Sequence, residues 1–248
     1  MSDQPNVDPT ATPAQPEKAS VWEDFIDIFY APAAVFARRA TGSFWIPMLV
    51  VAILSGVLFA VSMNVLQPAM DGDFGRMSAA QMKKNPQITA EMMNTQRGIQ
   101  EKIAKYAVPI IIPIVILCIA LTLWLSGKIV GAKQSWNAAL MVTSYALVPR
   151  LLEGVLNGVQ GMVVNPANLN GMMRLRLGPT HFMDPDTTAP VLIALLSRVD
   201  IFTIWVTVLL AIGLSVTGKV SRGEAAVAAV IVWLVGALPT LIPALLAG

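Results

Sequence analysis

Apolar residues run almost unbroken through five stretches, 45–66, 106–125, 138–164, 191–216 and 225–246. About 20 apolar residues in a helix cross the roughly 30 Å hydrocarbon core of a bilayer, so each stretch predicts a membrane span. The third is the least apolar, and the fourth is strongly apolar only from residue 201. Trp45, Tyr106, Trp124 and Trp136 fall at span ends, where interfacial aromatics belong. The expected fold class is all-α: a polytopic membrane protein built as a five-helix transmembrane bundle.

Two segments outside the spans also carry a pattern. In 21–40, Trp22, Phe25, Ile26, Phe29, Ala33 and Phe36 recur at three- and four-residue steps. Glu23, Asp24 and Asp27 come early and Arg38 and Arg39 late. This predicts an amphipathic helix bent at Pro32, lying on a membrane face or against the protein's own spans. In the loop 67–105, Asn85 followed by Pro86 reads as an N-cap with proline at the first helical position. Ile88, Met92, Ile99, Ile103 and Tyr106 then form one apolar stripe. The expectation is an outer helix that covers the bundle or, second, meets a partner. Residues 1–20 are polar, with Pro5, Pro9, Pro13 and Pro16, and predict a disordered tail. Lacking an apolar h-region there, the chain is expected to insert through its first span as an uncleaved signal.

Composition agrees with a bilayer protein. Of 248 residues, 55% are hydrophobic and 13% charged, against about 25% charged in a soluble domain. Net charge is +2 and the basic residues are scattered, so no nucleic-acid footprint appears. The single cysteine, Cys118, has no partner for an internal disulfide. The short loops holding Lys128, Lys133, Lys219 and Arg222 are basic apart from Glu224. The long loop mixes Arg76, Lys83, Lys84 and Arg97 with Asp71, Asp73, Glu91 and Glu101. The charge rule for short loops then favours a cytoplasmic N-terminus and an external C-terminus.

The catalytic inventory is sparse. His181, the one histidine, shares a Pro- and Asp-rich loop with Asp184 and Asp186, a spacing that matches no defined metal site. No phosphate-binding glycine loop and no nucleophile with a base stands out, so neither enzyme activity nor a cofactor or metal is expected. The notable groups are ionisable residues within the spans. Arg150 lies near the middle of the third, roughly 18 Å from either end. Glu153 follows one turn later. Arg198 and Asp200 lie in the fourth, roughly 10–15 Å deep if it starts at residue 191. Two opposite-charge pairs could meet there as a polar cavity or relay, as an interhelical clamp, or as groups at a membrane boundary. Gly154, Gly158 and Gly161 predict close helix packing, and Pro149 predicts a kink.

Three short motifs resemble the Yip-one domain family, the Ypt/Rab-interacting-protein-like membrane proteins, in its bacterial branch. They are the Asp27–Phe36 lead-in around Pro32, Tyr145-Ala-Leu-Val-Pro149, and the block Asp200, Phe202, Trp205 and Gly213, with Thr217-Gly218 and Ala225 after it. The resemblance covers roughly 21–246 and implies a five-helix bundle with a cytoplasmic N-terminus. Eukaryotic relatives act in vesicle trafficking with small GTPases. The Ala/Gly-rich, histidine-poor composition looks bacterial, so a GTPase partner is not expected. The function anticipated is non-enzymatic: membrane organisation in the inner membrane through contacts with lipid, a partner membrane protein or a second copy. The alternative is a small transporter or channel component with a polar path at Arg150, Glu153, Arg198 and Asp200.

Overall fold

A computed structural model describes residues 20–247, so the tail expected over 1–20 lies outside the described residues except for Ser20. The described chain is all helical, without strands, and five of its helical stretches are long and apolar enough to cross a membrane. The helices are α1 (Val21–Asp27), α2 (Pro32–Arg39), α3 (Trp45–Lys84), α4 (Ala90–Ile129), α5 (Trp136–Ala146), α6 (Pro149–Val163), α7 (Pro190–Leu196), α8 (Ile201–Gly218), α9 (Arg222–Val235) and α10 (Leu238–Ala247). Three short 3₁₀ turns fill the connection between α6 and α7.

The helix at the centre is α5. Every residue from Ala138 to Ala146 is buried, because α3, α4 and α8 all pack on it. That explains why the third stretch is the least apolar: a helix surrounded by protein meets no lipid and tolerates Thr143, Ser144 and Tyr145. The stretch is two helices and not one. After Ala146 the chain tightens, with Val148 N–H donating to Tyr145 O (3.1 Å) and Arg150 N–H to Leu147 O (2.9 Å), before α6 starts at Pro149.

Other boundaries also differ from expectation. The first span does not stop near residue 66. Helix α3 runs on to Lys84, and α4 starts far outside the second span, giving two antiparallel helices of 40 residues each. At 1.5 Å per residue each is about 60 Å long, twice the hydrocarbon thickness. Asn85 is the residue that ends α3, its side chain accepting from Gln87 N–H, and Thr89 caps α4 by accepting from Met92 N–H. Proline after asparagine suits such a tight turn as well as a helix start. The apolar stripe does not cover the bundle: Met92, Ile99, Ile103 and Tyr106 are 54–75% exposed. It is Met93 that turns inward and is buried, while Arg97 pairs with Asp71 across the hairpin.

The lead-in is a helical hairpin. Ser20 and Glu23 form a reciprocal capping box at the start of α1, and the chain turns at Tyr30–Ala31 so that α2 returns beside α1. Asp24 pairs with Arg38 (2.5 Å) and Arg39 (2.6 Å), and Arg38 also reaches Asp27. Ile28, Val35 and Phe36 are fully buried against the bundle. Phe29 meets the Trp205 ring edge-on at 5.5 Å, about 20 Å along α8 from Gly218. The segment therefore packs on its own spans, while Trp22, Ile26 and Tyr30, more than 60% exposed, face outward.

The fourth span starts at Ile201. Residues 190–196 form the separate α7, because Asp200 caps a new helix. The fifth stretch breaks at Gly236 into α9 and α10. In lipid no hydrophobic force draws apolar helices together, so close backbone approach through small residues matters. Gly213 of α8 is the clearest case: a Cβ there would lie 2.3 Å from Val142 Cγ1 on α5. Gly213→Ala is expected to cost about 1–3 kcal/mol by overpacking. Adding Val142→Ala should restore most of it, measured by unfolding in detergent.

Candidate functional site

The polar groups singled out in the spans gather where three helix ends meet: the break before α6, the start of α8 and the break after α9. Arg150, on the first turn of α6, pairs with Glu153 (2.5 Å), donates to Thr203 Oγ1 (2.8 Å) and lies 4.0 Å from Asp200. Asp200 is 1% exposed. Its Oδ1 accepts from the amides of Phe202 (3.0 Å) and Thr203 (3.2 Å), and its Oδ2 from Leu177 N–H (3.1 Å). The carboxylate thus caps α8 and fixes the preceding loop, with Arg150 as its nearest cation.

The third stretch is not one straight rod, and the cluster sits at its bend. Arg150, near the middle of the candidate span Trp136–Val163, sits beside the first turn of α8, where it meets Asp200 and Thr203. Helix α8 has 18 residues, about 27 Å, close to the roughly 30 Å of the hydrocarbon layer. The stretch 138–164 bends into two helices, and both α5 and α6 pack beside α8.

Arg198 makes no ion pair with a described carboxylate, contrary to the expected pairing. Its Nη2 donates to Trp233 O (3.0 Å), while Trp233 Nε1 donates back to Arg198 O (3.1 Å). Pro239 has no N–H and the helix breaks at Gly236, so carbonyls in this turn lack their usual partners; Arg198 supplies one. Its guanidinium also lies 5.8 Å from the Trp233 ring centre. Its Nε is buried and has no hydrogen-bond partner.

A cavity of about 650 Å³ adjoins both arginines. Its walls come from α3, α4, α8 and the α9–α10 junction, and most of them are apolar. Helix α6 leans on α3 through its glycines: a Cβ on Gly154 would touch Leu58 (3.4 Å), on Gly158 Ser62 Oγ (2.6 Å), and on Gly161 the Val65 carbonyl (3.0 Å). The remaining motif residues also make packing contacts. Phe202 is buried, Trp205 meets Phe29, and Gly213 receives Val142. His181 stacks edge-on against Phe182 in the last 3₁₀ turn. Among the described residues no three His, Cys, Asp or Glu side chains are placed to hold a metal.

Sequence reasoning missed one cluster. Asp24 is fully buried and accepts a hydrogen bond from Tyr145 Oη (3.0 Å), besides its two arginines. This joins the lead-in hairpin to the central helix. The available signal was the pairing of one acidic and one doubly basic position around the Phe29–Pro32 turn, together with a tyrosine in the least apolar span.

A model of the Yip1 domain family matches residues 26–242, nearly the whole chain. Neither a curated protein nor a solved structure matches it.

The Arg150–Glu153 contact has a measurable consequence. Removing one partner of this half-buried pair strands the other, whereas removing both does not. Arg150→Gln combined with Glu153→Gln is therefore expected to lower stability less than the more harmful single change, in detergent melts of the three variants. Additive losses would contradict the clamp.

Proposed function

Because the chain belongs to the Yip1 domain family, we propose that it is a non-enzymatic protein of the bacterial inner membrane that works through helix-mediated contacts with partner membrane proteins and lipid. The observation that carries this reading is the α3–α4 hairpin. It reaches well past a bilayer and carries Met92, Ile99, Ile103 and Tyr106 on a face that no part of the described chain covers. Large exposed apolar faces on an ordered helix mark contact surfaces. The polar cluster supports a structural role beside it, as an interhelical clamp at the membrane boundary. Asp200 is held by three amides, and Arg150 by Glu153 and Thr203.

The proposed orientation has a cytoplasmic N-terminus. The loops holding Lys133 and Lys219 touch, with Lys133 N–H donating to Gly218 O (2.9 Å), and Asn137 bonds Gly42 O beside Arg38 and Arg39. Basic short loops thus share one end of the bundle, which favours the cytoplasm. The alternative, a transporter component using Arg150, Glu153, Arg198 and Asp200, gains support from the cavity beside the two arginines.

Two measurements test the proposal. A photocrosslinking residue at Ile99 or Ile103 in intact cells should give discrete adducts to a second copy or to another membrane protein. Lipid adducts alone would argue against partner contact by the hairpin. A reporter fused after Gly248 should be active only on the external side, and a cytoplasmic signal would reverse the topology.

A further inference from the structure

The cavity between α4, α8 and the α9–α10 junction is graded in polarity from one end to the other. At the level where α8 begins, it is lined by Arg150, Arg198 and Thr203. From there along α8 the lining passes through Val206 and Thr207 to Leu210, about 10 Å deeper into the layer. On the facing helix it is formed by Ile112, Val115 and Ile119. Ile114 and Val235, also on its wall, are themselves exposed on the outer surface of the bundle. The cavity therefore opens sideways, toward surrounding hydrocarbon, between α4 and α9.

Charge at its polar end is unbalanced. Among the described residues two guanidinium groups line the cavity and no carboxylate does. Arg150 has Glu153 and Asp200 behind it, but Arg198 has a carbonyl and a tryptophan ring in place of a counter-ion. Arg150 and Arg176 lie near enough to repel it. A cation half-withdrawn from water, without an internal anion, is costly, and an anion from outside would relieve it. A volume of about 650 Å³ lies in the range of small-molecule sites.

We infer that this cavity is a binding site for an anionic phospholipid drawn laterally from the bilayer. Its phosphate pairs with Arg198 and Arg150, and an acyl chain lies along Ile119, Val206 and Leu210. Both halves of the occupant are specified by the walls: the arginines select negative charge at the membrane boundary, and the apolar depth selects hydrocarbon. Thr203 at the charged end accepts from Arg150 and so holds that guanidinium at the cavity wall. The inference deepens the lipid side of the proposed function and rests on it. Its readout, lipid held by the isolated protein, is separate from crosslinking at the hairpin.

The test is native mass spectrometry of the full-length protein released from detergent. The sample is preincubated with equal amounts of phosphatidylglycerol and phosphatidylcholine of identical chains. Wild type should retain one phosphatidylglycerol at least about fivefold over phosphatidylcholine, a ratio equivalent to about 1 kcal/mol. Arg198→Gln should bring that ratio close to one. Ile119→Trp, which fills the apolar depth and leaves both arginines in place, should lower retention of both lipids. The wild-type preference stands by itself should Arg198→Gln not fold. Equal retention of the two headgroups by wild type, or a preference undiminished in both variants, would overturn the site. Displacement of phosphatidylglycerol by low millimolar inorganic phosphate would show that an anion alone is recognised, which also overturns it.

Discussion

Backbone groups freed at helix ends must find partners wherever water is scarce, and that requirement organises the bundle. Three helix ends meet at one level: the start of α6 at Pro149, the start of α8 at Ile201 and the end of α9 at Val235. Each would leave donors or acceptors bare. The Asp200 carboxylate takes the first amides of α8, Arg198 meets the Trp233 carbonyl, and the tight turn at Leu147–Val148 uses up the Tyr145 carbonyl. The ionisable residues that stand out in an apolar sequence are largely accounted for by these ends. Arg150 then balances the charge that Asp200 and Glu153 bring.

A second polar cluster performs the same task for the lead-in. Helices α1 and α2 are too short to persist alone, and their turn is apolar. Asp24 binds Arg38, Arg39 and the Tyr145 hydroxyl at once, so the hairpin closes and docks through a single buried carboxylate. The tyrosine belongs to α5, whose central position is set by small residues and by neighbours such as Gly213 that admit its bulk. Packing and polar satisfaction therefore converge on the same helix. The end of α5 touches the lead-in, and the helix that follows carries Arg150.

Much of the architecture was legible because hydrocarbon imposes length and composition directly. The five spans follow from apolar run length, and the helix over 88–106 follows from its period, whereas the continuation of α3 from 67 to Lys84 carried no such signal. The breaks were harder. A proline signals that a helix can bend, but Pro68, Pro109 and Pro113 sit inside continuous helices, while the breaks fall at Pro149 and at Gly236 before Pro239. What distinguishes them is a nearby donor or capping group, and that is a tertiary fact. The same holds for the charges. Spacing made Arg150–Glu153 visible as neighbours on one helix, but Arg198 was assigned a carboxylate when its partner is a carbonyl 35 residues away. Asp24 looked like one of several acids on a polar face. Its burial depends on Tyr145, 121 residues further on.

The polarity of the large cavity bears on what the bundle can admit. A path for a hydrophilic solute needs polar groups at successive depths, since each unsolvated step costs several kcal/mol. Here hydroxyls and guanidinium groups crowd one end, and beyond Thr207 along α8 the wall is carried by Leu210, with Ile119 on α4. Thr122 is the exception on α4, and its hydroxyl already donates to Cys118 O (2.9 Å). Thr207 likewise donates to Thr203 O (2.8 Å). With both hydroxyls turned back onto their own helices, the depth of the cavity is hydrocarbon in character. A charged head at the boundary and an apolar tail below match that gradient, whereas a hydrated ion matches only its first few ångströms.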